Sequence, residues 1–299
     1  MFEIEKIKGI IVPIVTPVEE TGIISEPKLR CMVDHVIEGG VHGILAFGSN
    51  SEFYMFNHDE MIEATKIILN QTRNRVPVFF GIGDIRTSRA IDLAKRADEL
   101  NVTGISILQP MFIQPTEESL YQHYKAIATA IPHMMILIYN NPGRTGYSLT
   151  LDLIDQLAHD VDNIIGIKDS SGDITFLSEL VRRTQDIDFQ VLAGKDTIIF
   201  PALCVGAVGS VCSTANMFPK LVSSIYDCFV NGDYSIALEN QFRLNPVRLS
   251  QDKASFPAAT KDMSTLMGLD VGIPIPPTNA TTGALLDAMK LQMKKSNLL

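Results

Sequence analysis

Short apolar runs alternate with amphipathic stretches along most of the chain. The strand candidates are Ile10–Val15, Gly43–Phe47, Val76–Gly81, Gly104–Leu108, Met134–Tyr139, Ile164–Lys168, Phe189–Ala193 and Ala207–Cys212. Helical periodicity falls near 26–38, 58–73, 87–99, 117–130, 150–159, 173–184, 196–204 and 219–230. The runs are apolar at nearly every position, as expected of strands covered on both faces. Eight strand–helix units predict an α/β fold, a (β/α)8 TIM barrel, with an open doubly wound sheet as the rival. The pattern changes after residue 231. Tyr234–Leu249, Ser255–Met267 and Thr282–Met293 read as helices, and the proline-rich Ile273–Pro277 separates the last two. We therefore expect a barrel over residues 1–231 that carries the active site, and a C-terminal helical extension over 232–299 packed on it.

Composition narrows the function classes. The 299 residues are 46% hydrophobic and 20% charged, with a net charge of −9. No basic stripe suggests a nucleic-acid partner, and no apolar run is long enough to suggest a membrane span. Met1-Phe-Glu-Ile-Glu-Lys6 lacks the basic start and apolar core of a signal peptide. Cys31, Cys204, Cys212 and Cys228 form no CxxC pair and stand among apolar neighbours, so we expect reduced core residues of a cytoplasmic protein. The histidines show no metal-binding spacing, so no metal is expected. His58 is expected to be a cap or surface residue.

Candidate chemistry collects at the strand ends, where barrels of this kind place their active sites. Lys168 closes the apolar run Asn163-Ile-Ile-Gly-Ile-Lys168. Burial disfavours the charged form of such a lysine, and a neutral amine condenses with a carbonyl to form a Schiff base. Gly48-Ser49-Asn50 is a small-residue turn suited to a carboxylate, or to capping a helix. Tyr139 offers a phenol for proton relay, or a rim aromatic. Arg144 offers a forked cation for a carboxylate, or a loop salt bridge. Glu52 is expected to anchor its loop. The glycines of Gly81-Ile-Gly83 and Gly206–Ser210 fit no nucleotide-binding motif and are assigned to barrel turns.

These residues carry a resemblance. Gly48-Ser-Asn-Ser-Glu52, Tyr139-Asn-Asn-Pro-Gly-Arg-Thr-Gly146, Gly166-Ile-Lys-Asp169 and Gly209-Ser-Val-Cys-Ser-Thr-Ala-Asn216 are similar to motifs of the dihydrodipicolinate synthase and N-acetylneuraminate lyase family of class I, Schiff-base aldolases. The resemblance implies that Lys168 forms an imine with pyruvate or another 2-keto acid and that Tyr139 shuttles protons. It implies that Ser49 and Asn50 hold the keto acid's carboxylate and that Val211 lines the site through its backbone, with Gly194 also among the substrate-binding residues. It implies no cofactor beyond the covalent imine, an aldehyde as second partner, and a homo-oligomer, a tetramer or dimer.

The departures bear on the aldehyde. Synthases of this family usually carry two threonines where this chain has Ser49 and Asn50, and a Tyr-Tyr pair where it has Met111 and Phe112. Phe112 has no hydroxyl to complete a proton relay between subunits. Arg144 matches the arginine that synthases use for the aldehyde's carboxylate. On this pattern a 2-keto-3-deoxy sugar acid or a 4-hydroxy-2-oxoglutarate type of substrate is slightly preferred, with condensation of pyruvate and aspartate semialdehyde as the alternative. From a different class, a non-catalytic keto-acid-binding barrel is weighed as well, as is a metal-dependent aldolase. The positions that hold an inhibitory lysine in regulated synthases correspond to Phe53, His58, Met61 and Met111, three of them apolar, so no inhibition by L-lysine is expected.

Overall fold

The computed structural model describes residues 2–299; Met1, which begins the stretch read for a leader, lies outside them. Eight parallel strands close into a barrel in sequential order. In chain order the elements are β1 (Gly9–Pro13), α1 (Glu26–Glu38), β2 (Gly43–Ala46), α2 (His58–Thr72), β3 (Val78–Ile82), α3 (Thr87–Glu99), β4 (Gly104–Leu108), α4 (Glu117–Ala130) and β5 (Met135–Asn140). There follow a short α5 (Pro142–Thr145), α6 (Leu151–Asp160), β6 (Ile164–Asp169), α7 (Ile174–Arg183), β7 (Gln190–Ala193), α8 (Ile199–Cys204), β8 (Gly209–Val211) and α9 (Pro219–Val230). The chain ends in α10 (Tyr234–Gln251), α11 (Ala258–Leu266) and α12 (Gly283–Lys295), which extend the barrel. Among the described residues no helix is long and apolar enough to cross a membrane.

Every residue of all eight strands is buried, which is why their sequences read as unbroken apolar runs. Alternation still operates inside them, because successive side chains of a strand point to opposite faces. Ile11, Leu45, Phe79, Leu137, Ile165, Leu192 and Val211 fill the barrel interior. Ile10, Ile44, Phe80, Ile136, Ile138 and Ile167 face the helices. Helix starts are fixed locally: Asn57 and Glu60 form a reciprocal capping box on α2, and the side chains of Thr116, Thr150 and Asp173 accept from the first turns of α4, α6 and α7.

Three expectations need correction. Only Cys212 is a buried core cysteine; Cys31 and Cys204 are exposed and Cys228 is half-buried, because the helices that carry them turn those positions outward. Gly81 and Gly209 lie within β3 and β8 rather than in turns. Strand β8 is shorter than the apolar run Ala207–Cys212: Gly209–Val211 stand in register with β1 and β7, and Val208 and Cys212 add single flanking bonds to Val191 and Ile11.

Candidate active site

The two central side chains owe their position to a bulge. Ile136 pairs with Ile164, but Leu137 pairs with Gly166, so Ile165 is an extra residue on β6. An extra residue flips every later side chain to the other face of the strand. Ile165 therefore points inward, Ile167 outward, and Lys168 inward, onto the barrel interior. Gly166 permits the distortion: a Cβ there would lie 2.4 Å from the Gln190 carbonyl oxygen. On β5, Tyr139 shares the inward parity of Leu137, and it stands in register with Lys168.

The Lys168 ammonium lies 3.8 Å from the centroid of the Tyr139 ring. Lys168 is only 4% exposed, and among the described residues no carboxylate forms an ion pair with it. The strand continues one residue past Lys168, to Asp169, whose carboxylate accepts from Asn140 Nδ2 at 2.6 Å and from the Ser171 hydroxyl at 2.5 Å. Burial pushes the Asp169 carboxyl up despite these bonds.

The Tyr139 phenol oxygen accepts from Asn141 Nδ2 at 2.7 Å and lies 3.5 Å from the Ser49 hydroxyl. Burial by itself would raise the phenol's pKa. The Lys168 charge, with hydrogen bonds from Ser49, Lys168 and Ser170, outweighs it and holds the phenol below its ordinary value. Asn141 has no role in the sequence reading, although it sits inside the quoted Tyr139–Gly146 motif. Its backbone N–H donates to Gln109 Oε1, while Gln109 Nε2 donates to the Tyr147 carbonyl and to Asn140 Oδ1. The fully buried Gln109 thus clamps the loop that aims Asn141 at the phenol.

A cavity of about 330 Å³ opens over these groups. Asn50, Tyr139, Arg144, Lys168, Gly194 and Val211 all line it, so six of the seven site residues expected from the sequence meet there. Ser49, the seventh, lines an adjoining small void and reaches the site through Tyr139. Asn50 Oδ1 accepts from Thr260 Oγ1 at 3.0 Å, which leaves its NH2 as the free end. Arg144 is exposed and stacks on Phe256, its guanidinium 4.2 Å from the ring centroid. The Gly194 N–H donates to the Asp169 carbonyl at 2.6 Å and its carbonyl accepts from the Ser170 hydroxyl at 3.3 Å, which fixes the backbone where it lines the cavity. A Cβ on Gly194 would collide with the Ser170 hydroxyl.

The C-terminal segment contributes Arg248 from α10, and Asp252 and Phe256 from the connection to α11, to the same cavity; none of the three stood out in the sequence. Arg248 pairs with Asp196, 3.7 Å away, and with Asp252. Burial would lower the Arg248 pKa, but these carboxylates hold it above its usual value. Asp196 is itself fixed by the Thr214 N–H and hydroxyl at 2.7 and 2.6 Å.

Glu52 anchors its loop as expected: it is buried, accepts from the Ile275 N–H at 2.8 Å and pairs with Lys261 at 2.6 Å. His58 is neither cap nor surface. Asn57 caps α2, and the half-buried His58 ring contacts Asp84 Oδ2 at 2.7 Å. Phe53, His58, Met61 and Met111 line a separate cavity of about 350 Å³, together with Asp84 and Arg89. That cavity holds a tyrosine, Tyr54, but no lysine. A cavity of about 970 Å³ beside the C-terminal residues holds Lys220 but no tyrosine. Of these three cavities, the barrel mouth is the one whose lining holds both a lysine and a tyrosine.

The family model described as "Dihydrodipicolinate synthetase family" matches residues 6–295. The chain is 37% identical over 292 residues to the 4-hydroxy-tetrahydrodipicolinate synthase of Trichlorobacter lovleyi, covering 96% of this chain and 99% of that protein. Its fold is similar to that of a crystal structure of dihydrodipicolinate synthase from Thermotoga maritima, with TM-score 0.93, 28% identity, and 98% and 99% of the two chains covered. It is equally similar, TM-score 0.93 at 25% identity over 98% and 99% of the chains, to a prophage protein of the dihydrodipicolinic acid synthase family from E. coli K12, solved in complex with pyruvate.

Proposed function

The chain belongs to the dihydrodipicolinate synthetase family of carbon–carbon lyases, whose chemistry runs through a covalent lysine imine without an external cofactor, and from that premise we propose that it joins pyruvate to aspartate semialdehyde on Lys168. The observation that carries this reading is the buried amine of Lys168, in no ion pair, 3.8 Å above the Tyr139 ring. In the proposed sequence Lys168 attacks the keto carbon of pyruvate and water leaves. The iminium withdraws electrons, a methyl proton passes to the Tyr139 phenolate, the resulting enamine adds to the aldehyde carbon, and water then hydrolyses the new iminium to free the product and Lys168. Tyr139, with its lowered pKa, donates that proton to the alkoxide formed on the aldehyde oxygen, or removes it from the hydroxyl in the reverse direction. Asn141 orients the phenol. The Asn50 NH2 and Ser49 take the keto acid's carboxylate, while the backbone at Gly194 and Val211 lines the cavity beside it. The barrel, residues 1–231, supplies this chemistry, and the segment 232–299 closes the cavity through Arg248, Asp252 and Phe256.

The acceptor is proposed from Arg144, an exposed cation in no ion pair among the described residues, and from the synthase relatives at 37% and 35% identity. The relatives favour aspartate semialdehyde over the sugar-acid or 4-hydroxy-2-oxoglutarate type of substrate preferred on the sequence pattern. One observation keeps that second reading: Ser49-Asn50 stands in place of the threonine pair, and Phe112, 87% exposed, brings no hydroxyl. A panel of aldehydes with pyruvate decides between them. Aspartate semialdehyde should be the best acceptor, and Arg144→Ala should raise its KM roughly 10–100-fold, the loss of one charge-assisted contact. Faster turnover of glyoxylate or glyceraldehyde by the wild type would overturn the choice of acceptor.

The enzyme is also proposed to work as a homo-oligomer in the cytoplasm. Exposed Tyr54, Ile85, Phe112 and Ile113 support the first point, as apolar side chains that a second subunit would cover.

A further inference from the structure

The barrel mouth is basic in a chain of net charge −9. Four cations, Arg144, Lys168, Lys195 and Arg248, line the cavity against two carboxylates, Asp196 and Asp252. Arg248 is consumed by both carboxylates. Arg144 and Lys195 form no ion pair among the described residues, and only Arg144 is accounted for above.

Lys195 follows β7, and Arg144 follows β5, so the two cations flank β6 and its lysine from either side. The Lys195 side chain leans toward β6: a Cβ on Gly172, in the loop after Lys168, would lie 3.5 Å from Lys195 Cγ. Gly172 is at φ +81, where a side chain would be strained, so the loop is kept bare beneath the lysine. Lys195 is half-buried, so a contact it makes inside the cavity is partly shielded from water.

We propose that Lys195 is a specificity-determining residue that binds an anionic group on the part of the substrate distal to the imine, opposite Arg144 across β6. This deepens the reading of Lys168 as the imine lysine and rests on it. The ligand class it selects is a 2-oxo acid, or an adduct of one, with a second carboxylate extending into the mouth. A neutral extension gains nothing from Lys195.

The test uses two 2-oxo acids that form the same imine and differ in the distal group, 2-oxoglutarate and 2-oxobutyrate. Their dissociation constants are measured by calorimetry on the wild type and on Lys195→Gln, which keeps a polar side chain of similar reach. The expected result is about tenfold weaker binding of 2-oxoglutarate, with 2-oxobutyrate changed less than about twofold. Equal losses for both ligands, or no loss for 2-oxoglutarate, would overturn the proposal. Borohydride trapping of 2-oxobutyrate on the same variant keeps the underlying reading separate. Label at Lys168 with no 2-oxoglutarate effect removes the role of Lys195 alone, whereas absence of label at Lys168 in the wild type removes the imine reading itself.

Discussion

Two lysines of this chain are buried, and they do opposite things. Lys261, on α11, is fully buried; its ammonium pairs with Glu52 at 2.6 Å and donates to the Ile273 carbonyl at 3.0 Å. Burial pushes its pKa down, and Glu52 partly restores it. Lys168 is nearly as buried, but it meets an aromatic face and a cavity in place of a carboxylate. Burial therefore does not distinguish a structural lysine from a reactive one. The partner does: Lys261 ties the β2 loop to the C-terminal helices, whereas Lys168 is left free to acquire a covalent partner.

The largest effect that would break this contrast is on turnover. Lys168→Ala is expected to lower kcat at least about 10⁴-fold, as loss of a covalent nucleophile does, with the barrel's circular dichroism retained. Tyr139→Phe should lower kcat by roughly 10²–10⁴, because a positioned acid–base group is removed. Tyr139 titrates below an ordinary phenol, so activity that needs its proton is present at lower pH and falls as pH rises through the lowered pKa. The alkaline limb of the kcat profile should lie below that of a free phenol and disappear in Tyr139→Phe; an unchanged limb would remove Tyr139 from the proton transfer. Lys261→Met acts on the other side of the comparison. It leaves Glu52 buried without its counter-charge and should destabilise the fold by about 3–5 kcal/mol in urea unfolding. Adding Glu52→Gln should recover part of that loss. Lys261→Met with unchanged stability would contradict the structural role.

Much of this was legible in the chain. The apolar runs located all eight strands, and the periodic stretches at 26–38, 87–99, 117–130 and 219–230 became helices with those bounds. Tyr139 and Lys168 could be read because a polar residue closing an apolar strand is conspicuous. The bulge that turns Lys168 inward could not, since Ile164, Ile165 and Ile167 are equally apolar whichever face they take. Arg248 and Asp252 escaped notice because an Arg–Asp pair four residues apart on a helix reads as a solvated face. Their place at the cavity depends on how α10 packs, and that is a tertiary fact. His58 was misread for the same reason: its partner Asp84 is distant in sequence.

The most direct measurement is borohydride reduction of the enzyme in the presence of pyruvate, followed by peptide mapping. One three-carbon adduct per chain is expected, at Lys168. An adduct at Lys195 or Lys261, or none at all, would contradict it.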